Sequence, residues 1–235
     1  MSDPHNRRTA SASAQRRLAR AQALSGLVFA SFLLLHLLNV MASVFGPGLY
    51  DALQIRIRPL YQYPLVELGV LLAALLVHIG AGISRMRSRP RSRGSRQLPR
   101  RTQLHRASAY VLLLFIFGHI AATRLPSLLF DVPLGFSGVS LSMVWAPGFY
   151  YPYYALLGLC GLYHGAYGSY VALRLLGLRL PTVARLGIRG WLPLAAAAVL
   201  LVLGVLSFGG QLYPIADPRD GELARLLAER FGIEP

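Results

Sequence analysis

Four histidines lie inside long apolar stretches of this sequence, one in each of the first four stretches. They are His36, His78, His119 and His164. An imidazole ring in hydrocarbon is unfavourable unless it is hydrogen-bonded or binds a ligand. Neutral imidazole can transfer protons or ligate a metal. Each histidine alone fits a hydrogen-bonded structural role or a ligand role, and the arrangement of all four favours ligands.

The four histidines divide into two depths. At about 1.5 Å of rise per residue, His36 and His119 lie about 18 and 20 Å from the basic ends of their helices. His78 and His164 lie about 9 and 15 Å from the corresponding ends. The sequence therefore predicts an outer pair, His36 with His119, and an inner pair, His78 with His164.

A weak internal repeat relates the first two stretches to the next two. Ser25 precedes His36 by eleven residues, and Ser108 precedes His119 by the same number. Two copies of one helical hairpin can place their matching helices diagonally across a four-helix bundle. Each histidine would then face the partner at its own depth.

Small residues surround the histidines and clear space for a broad ligand. They are Ala30, Ser31, Gly80, Gly82, Gly118, Gly161, Gly165 and Gly168. Small residues let membrane helices approach closely, and they also leave room for a planar ring. Zinc is the rival ligand, but it gathers three or four ligands around one centre. Two haems, each held by two histidines, fit a division between two depths better.

The composition is that of an integral membrane protein. The 235 residues are 54% hydrophobic and 14% charged, and the mean hydropathy is +0.48. Apolar stretches predict helical spans at 24–45, 63–84, 107–123, 151–173 and 191–212. The third is short, and bilayer thinning or snorkelling arginines would absorb the mismatch. We expect an all-α membrane fold of five transmembrane helices, the first four forming a haem-binding bundle.

The net charge of +15 lies in clusters between the apolar stretches. This pattern indicates membrane topology rather than nucleic-acid binding. Arginines cluster at the N-terminus, in the second connection and in the fourth, so these segments are predicted to be cytoplasmic and the C-terminus to lie outside. We expect a basic tail at 1–20, a membrane domain at 21–213 and an outer tail at 214–235. That outer tail is either a short interfacial helix or a solvated segment. Cys160 is the single cysteine, which excludes a disulfide framework or a thiolate cluster.

Several phrases carry a family resemblance, in an order and spacing that extend from about Arg16 to Arg189. They are RRLARAQALSGLVFASFLLLHLL, PLVELGVLLAALLVHIGAG, HRASAYVLLLFIFGHI and LYHGAYGSY. The chain resembles the dihaem cytochrome b subunit of succinate dehydrogenase and fumarate reductase, the respiratory complex II family. Some members have an acid in a compensating proton path two residues before an inner-haem ligand. Here that position is Leu162.

The resemblance implies two b haems, the proximal on His78 and His164 and the distal on His36 and His119. It implies a flavoprotein with covalent FAD and an iron–sulfur subunit on the cytoplasmic side. We therefore expect a protein of the bacterial cytoplasmic (inner) membrane that passes electrons between a quinone and the iron–sulfur subunit. The expected quinone is menaquinone. The direction of turnover stays open.

Polar residues near each end of the helices are candidates for quinone and proton chemistry. On the outer side these are Glu67 and Asp51. Glu67 is either an interior proton carrier or a solvated acid at a helix start, and Asp51 is either a site residue or a loop residue. On the inner side they are Ser25 and Ser108, of which Ser25 can instead bond a helical carbonyl.

Two arginines near the inner side, Arg20 and Arg106, are candidates for neutralising haem propionates, because arginine binds carboxylates bidentately. His105 lies among arginines, so we expect it to be solvated.

Two other classes of protein remain open. One is the cytochrome b subunit of a formate dehydrogenase or hydrogenase, or an ascorbate-linked transmembrane cytochrome b. Those families generally crowd two ligands onto one helix, whereas each helix here carries one. The other is a transporter or assembly scaffold that uses the histidines as proton or metal sites.

Overall fold

The structure is a computed structural model that describes residues 4–88 and 98–233, without the side chains of 4–11 and 183–189. Within these ranges the chain is helical and contains no β-strand. Its α-helices are α1 (Pro4–Ala42), α2 (Pro47–Tyr61), α3 (Ala73–Arg87), α4 (Arg100–Phe130), α5 (Phe136–Trp145), α6 (Pro147–Leu175), α7 (Val183–Phe208) and α8 (Glu222–Phe231). The predicted tail at 1–20 is therefore helical from Pro4 onward.

Four long helices surround a central space. α1 packs along α3 and α6, and α6 packs along α4 and α7. Among the described residues, α4 makes close backbone contact with α6 and little or none with α1 and α3. α1 consequently lies diagonally across from α4, and α3 lies diagonally across from α6.

Four helical stretches of the described chain are long and apolar enough to cross a membrane. They are Ala12–Phe45, Leu65–Arg87, Arg100–Phe130 and Gly190–Phe208, and they fit a multi-pass membrane protein. α6 is 29 residues long but rich in tyrosine and glycine, and it does not reach the same hydropathy. The prediction of a short third span is wrong, because α4 continues through the flanking polar residues to a length of 31 residues.

The second of these stretches begins with a π-helical segment, Leu65–Leu72, which continues directly into α3. A π-helix bonds each N–H to the carbonyl five residues back, so each residue turns less than the roughly 100° of an α-helix. Glu67 lies in this segment. Such segments occur frequently at functional sites.

Two helices lie where the sequence predicts connections. α2 starts at Pro47, a favourable first helical position, and Gly46 before it has a φ of 115° that glycine tolerates. α2, α5 and α7 meet around the buried side chains Tyr50, Phe136, Met143, Val205 and Phe208. α8, in the C-terminal segment, packs against α5. These elements close one end of the bundle.

Candidate functional site

A cavity of about 900 Å³ lies between α1, α3, α4 and α6, and it is lined mainly by apolar side chains. All four histidines of the predicted pairs line it. We call the end that holds Gln22, Arg85 and Arg106 the inner end, and the end that holds Glu67 and Arg124 the outer end. The volume is near the top of the range of about 300–1,000 Å³ found for ligand pockets.

The inner pair consists of two facing imidazoles. The ring centres of His78 and His164 are 6.0 Å apart, and their planes are nearly perpendicular, at 88°. His78 Nδ1 lies 2.9 Å from the carbonyl oxygen of Gln22, and His164 Nδ1 lies 3.3 Å from that of His105. A carbonyl oxygen can only accept, so each Nδ1 carries the proton and each Nε2 keeps its lone pair. This arrangement is typical of histidines that ligate a metal.

The outer pair has the same separation in different surroundings. The ring centres of His36 and His119 are 6.0 Å apart, at an interplanar angle of 68°. Phe32 stacks on His36 at 5.8 Å, and Tyr154 presents its edge to His119 at 6.4 Å. Aromatic packing therefore orients this pair, whereas main-chain carbonyls orient the inner pair.

The separation of 6.0 Å in both pairs fits one metal atom between two imidazoles. A bond from a metal to an imidazole nitrogen is about 2 Å long, and the ring centre lies about 1 Å behind the nitrogen. Two rings on opposite sides of one metal therefore have their centres about 6 Å apart. In the described parts of the chain, no group of three or more His, Cys, Asp or Glu side chains is placed to hold one ion. The donor set thus suits two bis-histidine haems better than zinc.

The predicted small residues have different roles. Gly82, Gly161, Gly165 and Gly168 line the cavity, whereas Gly80 and Gly118 do not. A Cβ at Gly80 or Gly118 would meet nothing within 4 Å. The glycine with the closest approach to a predicted ligand is Gly26, which sequence analysis missed. A Cβ there would lie 2.8 Å from both Cε1 and Nδ1 of His78.

We expect Gly26→Ala to weaken haem binding by displacing the His78 ring and lengthening its hydrogen bond to Gln22. Loss of such an orienting contact costs about 10–100-fold in metal affinity, and optical titration of the purified chain with haemin measures it. Gly80→Ala is the matched control, since a Cβ there has open space. Identical titration curves for the two variants would contradict the placement of His78 against α1.

The cationic groups at the inner end differ in part from the prediction. Arg106 lines the cavity, whereas Arg20 is exposed and lies outside its lining. Arg85 lines the inner end instead, and its Nη1 donates to the side-chain oxygen of Gln22. Because Arg85 follows His78 by seven residues, two helical turns, it faces the same side of α3. That spacing was a usable signal in the sequence.

Glu67 lines the outer end and forms an ion pair with Arg124 of α4. The arginine donates from Nε to one carboxylate oxygen and from Nη2 to the other, the latter at 2.8 Å. The two side chains are 20% and 15% exposed. Glu67 is therefore neither solvated nor a helix cap, and the pair forms a bidentate contact between α4 and the π-helical segment.

Three other predicted site residues make structural hydrogen bonds. Asp51 lies on α2, and its carboxylate accepts from the backbone N–H of Phe136 at 2.8 Å, which stabilises the start of α5. Ser25 donates to the carbonyl of Ala21 at 2.7 Å. Ser108 donates to the carbonyl of His105 at 3.0 Å, and its oxygen lies 3.5 Å from His164 Nδ1. Asp51, Ser25 and Ser108 do not line the cavity. Of the three, only Ser108 approaches a predicted ligand.

His105 is not solvated as predicted. Its ring stacks on His164 with centres 4.3 Å apart and an angle of 9°, and it lines the cavity. Its position fourteen residues before His119 places both on one face of α4, about four turns apart.

From its inner end to its outer end, the site therefore consists of three histidines, then the outer pair, and finally an ion pair. These are His78, His105 and His164, then His36 and His119, and then Glu67 with Arg124.

Comparison with models of protein families, with curated proteins and with solved structures found no match to this chain.

Proposed function

We propose that this chain is the membrane anchor and dihaem cytochrome b subunit of a succinate:quinone oxidoreductase of the complex II family. One observation carries the proposal. Two pairs of imidazoles, each with ring centres 6.0 Å apart and each supplied by diagonal helices, line one apolar cavity. A chain that holds two haems through pairs of histidines would need two such pairs.

The side chains that line the cavity fit two haems. His78 and His164 would hold the inner haem through Nε2, and His36 and His119 would hold the outer one. A bound haem supplies one-electron chemistry at its iron. The apolar wall would exclude water, and Arg85 and Arg106, which line the inner end, would neutralise propionates.

The proposed topology has five spans, with α6 as the fourth. At about 1.5 Å per residue its 29 residues are longer than the roughly 30 Å hydrocarbon core. Its lower hydropathy is explained by its surroundings, because α1, α4 and α7 pack around it and it faces the cavity. The N-terminus then lies in the cytoplasm of a bacterial cell, where the basic face would dock the flavoprotein and iron–sulfur subunits.

Quinone, with menaquinone the expected type, would bind at the outer end. Glu67 and Arg124 are the charged pair there, and the phenol of Tyr61 lines the same end. A carboxylate and a phenol near a redox carrier can exchange protons with it. Burial raises the pKa of Tyr61, so this phenol stays protonated at neutral pH and can donate a hydrogen bond.

Affinity purification of the tagged chain from membranes tests the assignment. We expect a b-type reduced-minus-oxidised α-band, two haems per chain, and copurifying covalent flavin with succinate–quinone activity. A molybdenum or nickel enzyme in the same preparation would assign the chain to a formate dehydrogenase or hydrogenase instead. A colourless preparation, made with ample haem supply, would favour the transporter or scaffold class.

A further inference from the structure

His105 has closer ring contact with a predicted ligand than any other aromatic side chain in the described chain. Its imidazole is 4.3 Å from that of His164 and nearly parallel to it. For comparison, Phe32 stacks on His36 at 5.8 Å and 17°. The carbonyl of His105 also accepts the Nδ1 proton of His164. One residue of α4 thus contacts the inner ligand of α6 with both its ring and its main chain.

The ring of His105 also packs against two further residues of α6, Gly168 and Tyr167. A Cβ at Gly168 would lie 3.1 Å from His105 Nε2, so the absence of a side chain there is what admits the ring. Tyr167 contacts the ring edge-on at 5.4 Å. His105 Nε2 is buried and has no hydrogen-bond partner in the described chain. Its packing is therefore the feature that defines its position.

We propose that His105 is the positioning residue of the inner pair, whose stacked ring and main-chain carbonyl together set the plane of the His164 imidazole. The carbonyl determines where Nδ1 points, but a ring can still rock about that hydrogen bond. A parallel ring at van der Waals distance prevents the rocking. His164 is then kept close to perpendicular to His78, at the observed 88°.

This orientation has a spectroscopic consequence, which rests on the proposed function. With an iron held by His78 and His164, the planes of the two imidazoles would determine how their π orbitals overlap with the iron d orbitals. The g-values of the ferric low-spin haem follow from that overlap, and so does part of its redox potential. Changing the stacked ring should therefore alter the inner haem without removing a ligand.

The test compares ferric electron paramagnetic resonance spectra of the full-length chain loaded with haem. The inner signal is defined as the one that His78→Ala abolishes. We expect His105→Ala to shift the inner g-values and to speed loss of the inner haem about tenfold, the low end for a lost orienting contact. His105→Phe should restore both, because it keeps a stacked ring. A merely structural role would not make the g-values depend on ring stacking.

Gly168→Ala offers an independent perturbation that changes neither histidine. Its Cβ would press on His105 Nε2, so we expect the same inner signal to shift. Gly148→Ala is the control, since Gly148 lies on the same helix but outside the cavity lining and its Cβ would meet nothing within 4 Å. An unchanged inner signal in His105→Ala would overturn the inference. It would also be overturned if His105→Gln restored the signal and His105→Phe did not.

A second measurement separates this inference from the proposed function. In the haem-free, histidine-labelled chain, the ring current of His105 should shift the ring-proton resonances of His164. The shift should vanish in His105→Ala and persist in His105→Phe. If it is absent in the wild-type chain, the positioning role is wrong even when two haems bind. If it is present and no haem binds, the positioning contact stands and the cytochrome assignment fails.

Discussion

Replacing His164 by alanine is expected to halve the haem content of the purified chain, from about two haems to about one. Under the proposed function, the variant removes one of the two histidines that would hold the inner haem, and one imidazole alone would not retain it. His78→Ala should remove the same haem, because its ring faces His164 at 6.0 Å. Alkaline-pyridine spectra measured against protein concentration give the ratio.

The outer ligands provide the internal control for this result. His36→Ala and His119→Ala should each leave the inner haem in place, because their rings face each other across a different pair of helices. The two sets of variants should therefore give two different residual α-bands. The two-site arrangement would be wrong if His36→Ala and His78→Ala removed the same band.

Breaking the ion pair between Glu67 and Arg124 is expected to destabilise the chain strongly. Either Glu67→Leu or Arg124→Leu leaves a mostly buried charge without its partner, since the side chains are only 20% and 15% exposed. Removing one partner of a buried pair costs about 3–5 kcal/mol of unfolding free energy. Denaturant unfolding in detergent, followed by circular dichroism, measures this cost.

The double variant distinguishes the pair from two unrelated residues. Glu67→Leu with Arg124→Leu should cost much less than the sum of the single variants, because an apolar pair replaces an ion pair without leaving a lone charge. If the two single effects simply add, the residues are not coupled and the contact between α4 and the π-helical segment is wrong.

Glu67→Gln keeps the shape of the side chain. We expect it to reduce quinone turnover if Glu67 carries protons.

Much of the site follows from features that a sequence displays directly. Hydropathy marks where apolar helices lie, and counting from their basic ends gives the depth of each histidine. The division into His36 with His119 and His78 with His164 needs only those two quantities. To predict that the two histidines of a pair face each other, one must also assume that their helices lie diagonally across the bundle. The packing of α1, α3, α4 and α6 agrees with that assumption.

The remaining features depend on contacts between segments that are distant in sequence. Arg124 appears in the sequence as a flanking arginine, and only the crossing of α4 near the π-helical segment turns it into the partner of Glu67. Asp51 appears as a loop acid, yet it caps a helix that begins 85 residues later. His105 lies among arginines, and its burial becomes visible only once α6 packs against α4. Local composition carries no information on any of these neighbours.

The π-helical segment Leu65–Leu72 has an evolutionary consequence. It lies between the outer end of the span and His78 on one continuous helix. Each hydrogen-bonded turn of a π-helix holds one more residue than a turn of an α-helix, so deleting a single codon within the segment would restore a regular α-helix. The lower turn per residue already compensates for the extra residue, so the residues before the segment would keep their direction relative to His78. The chain can therefore gain or lose one residue here through one small genetic event that leaves both ends of the span in place.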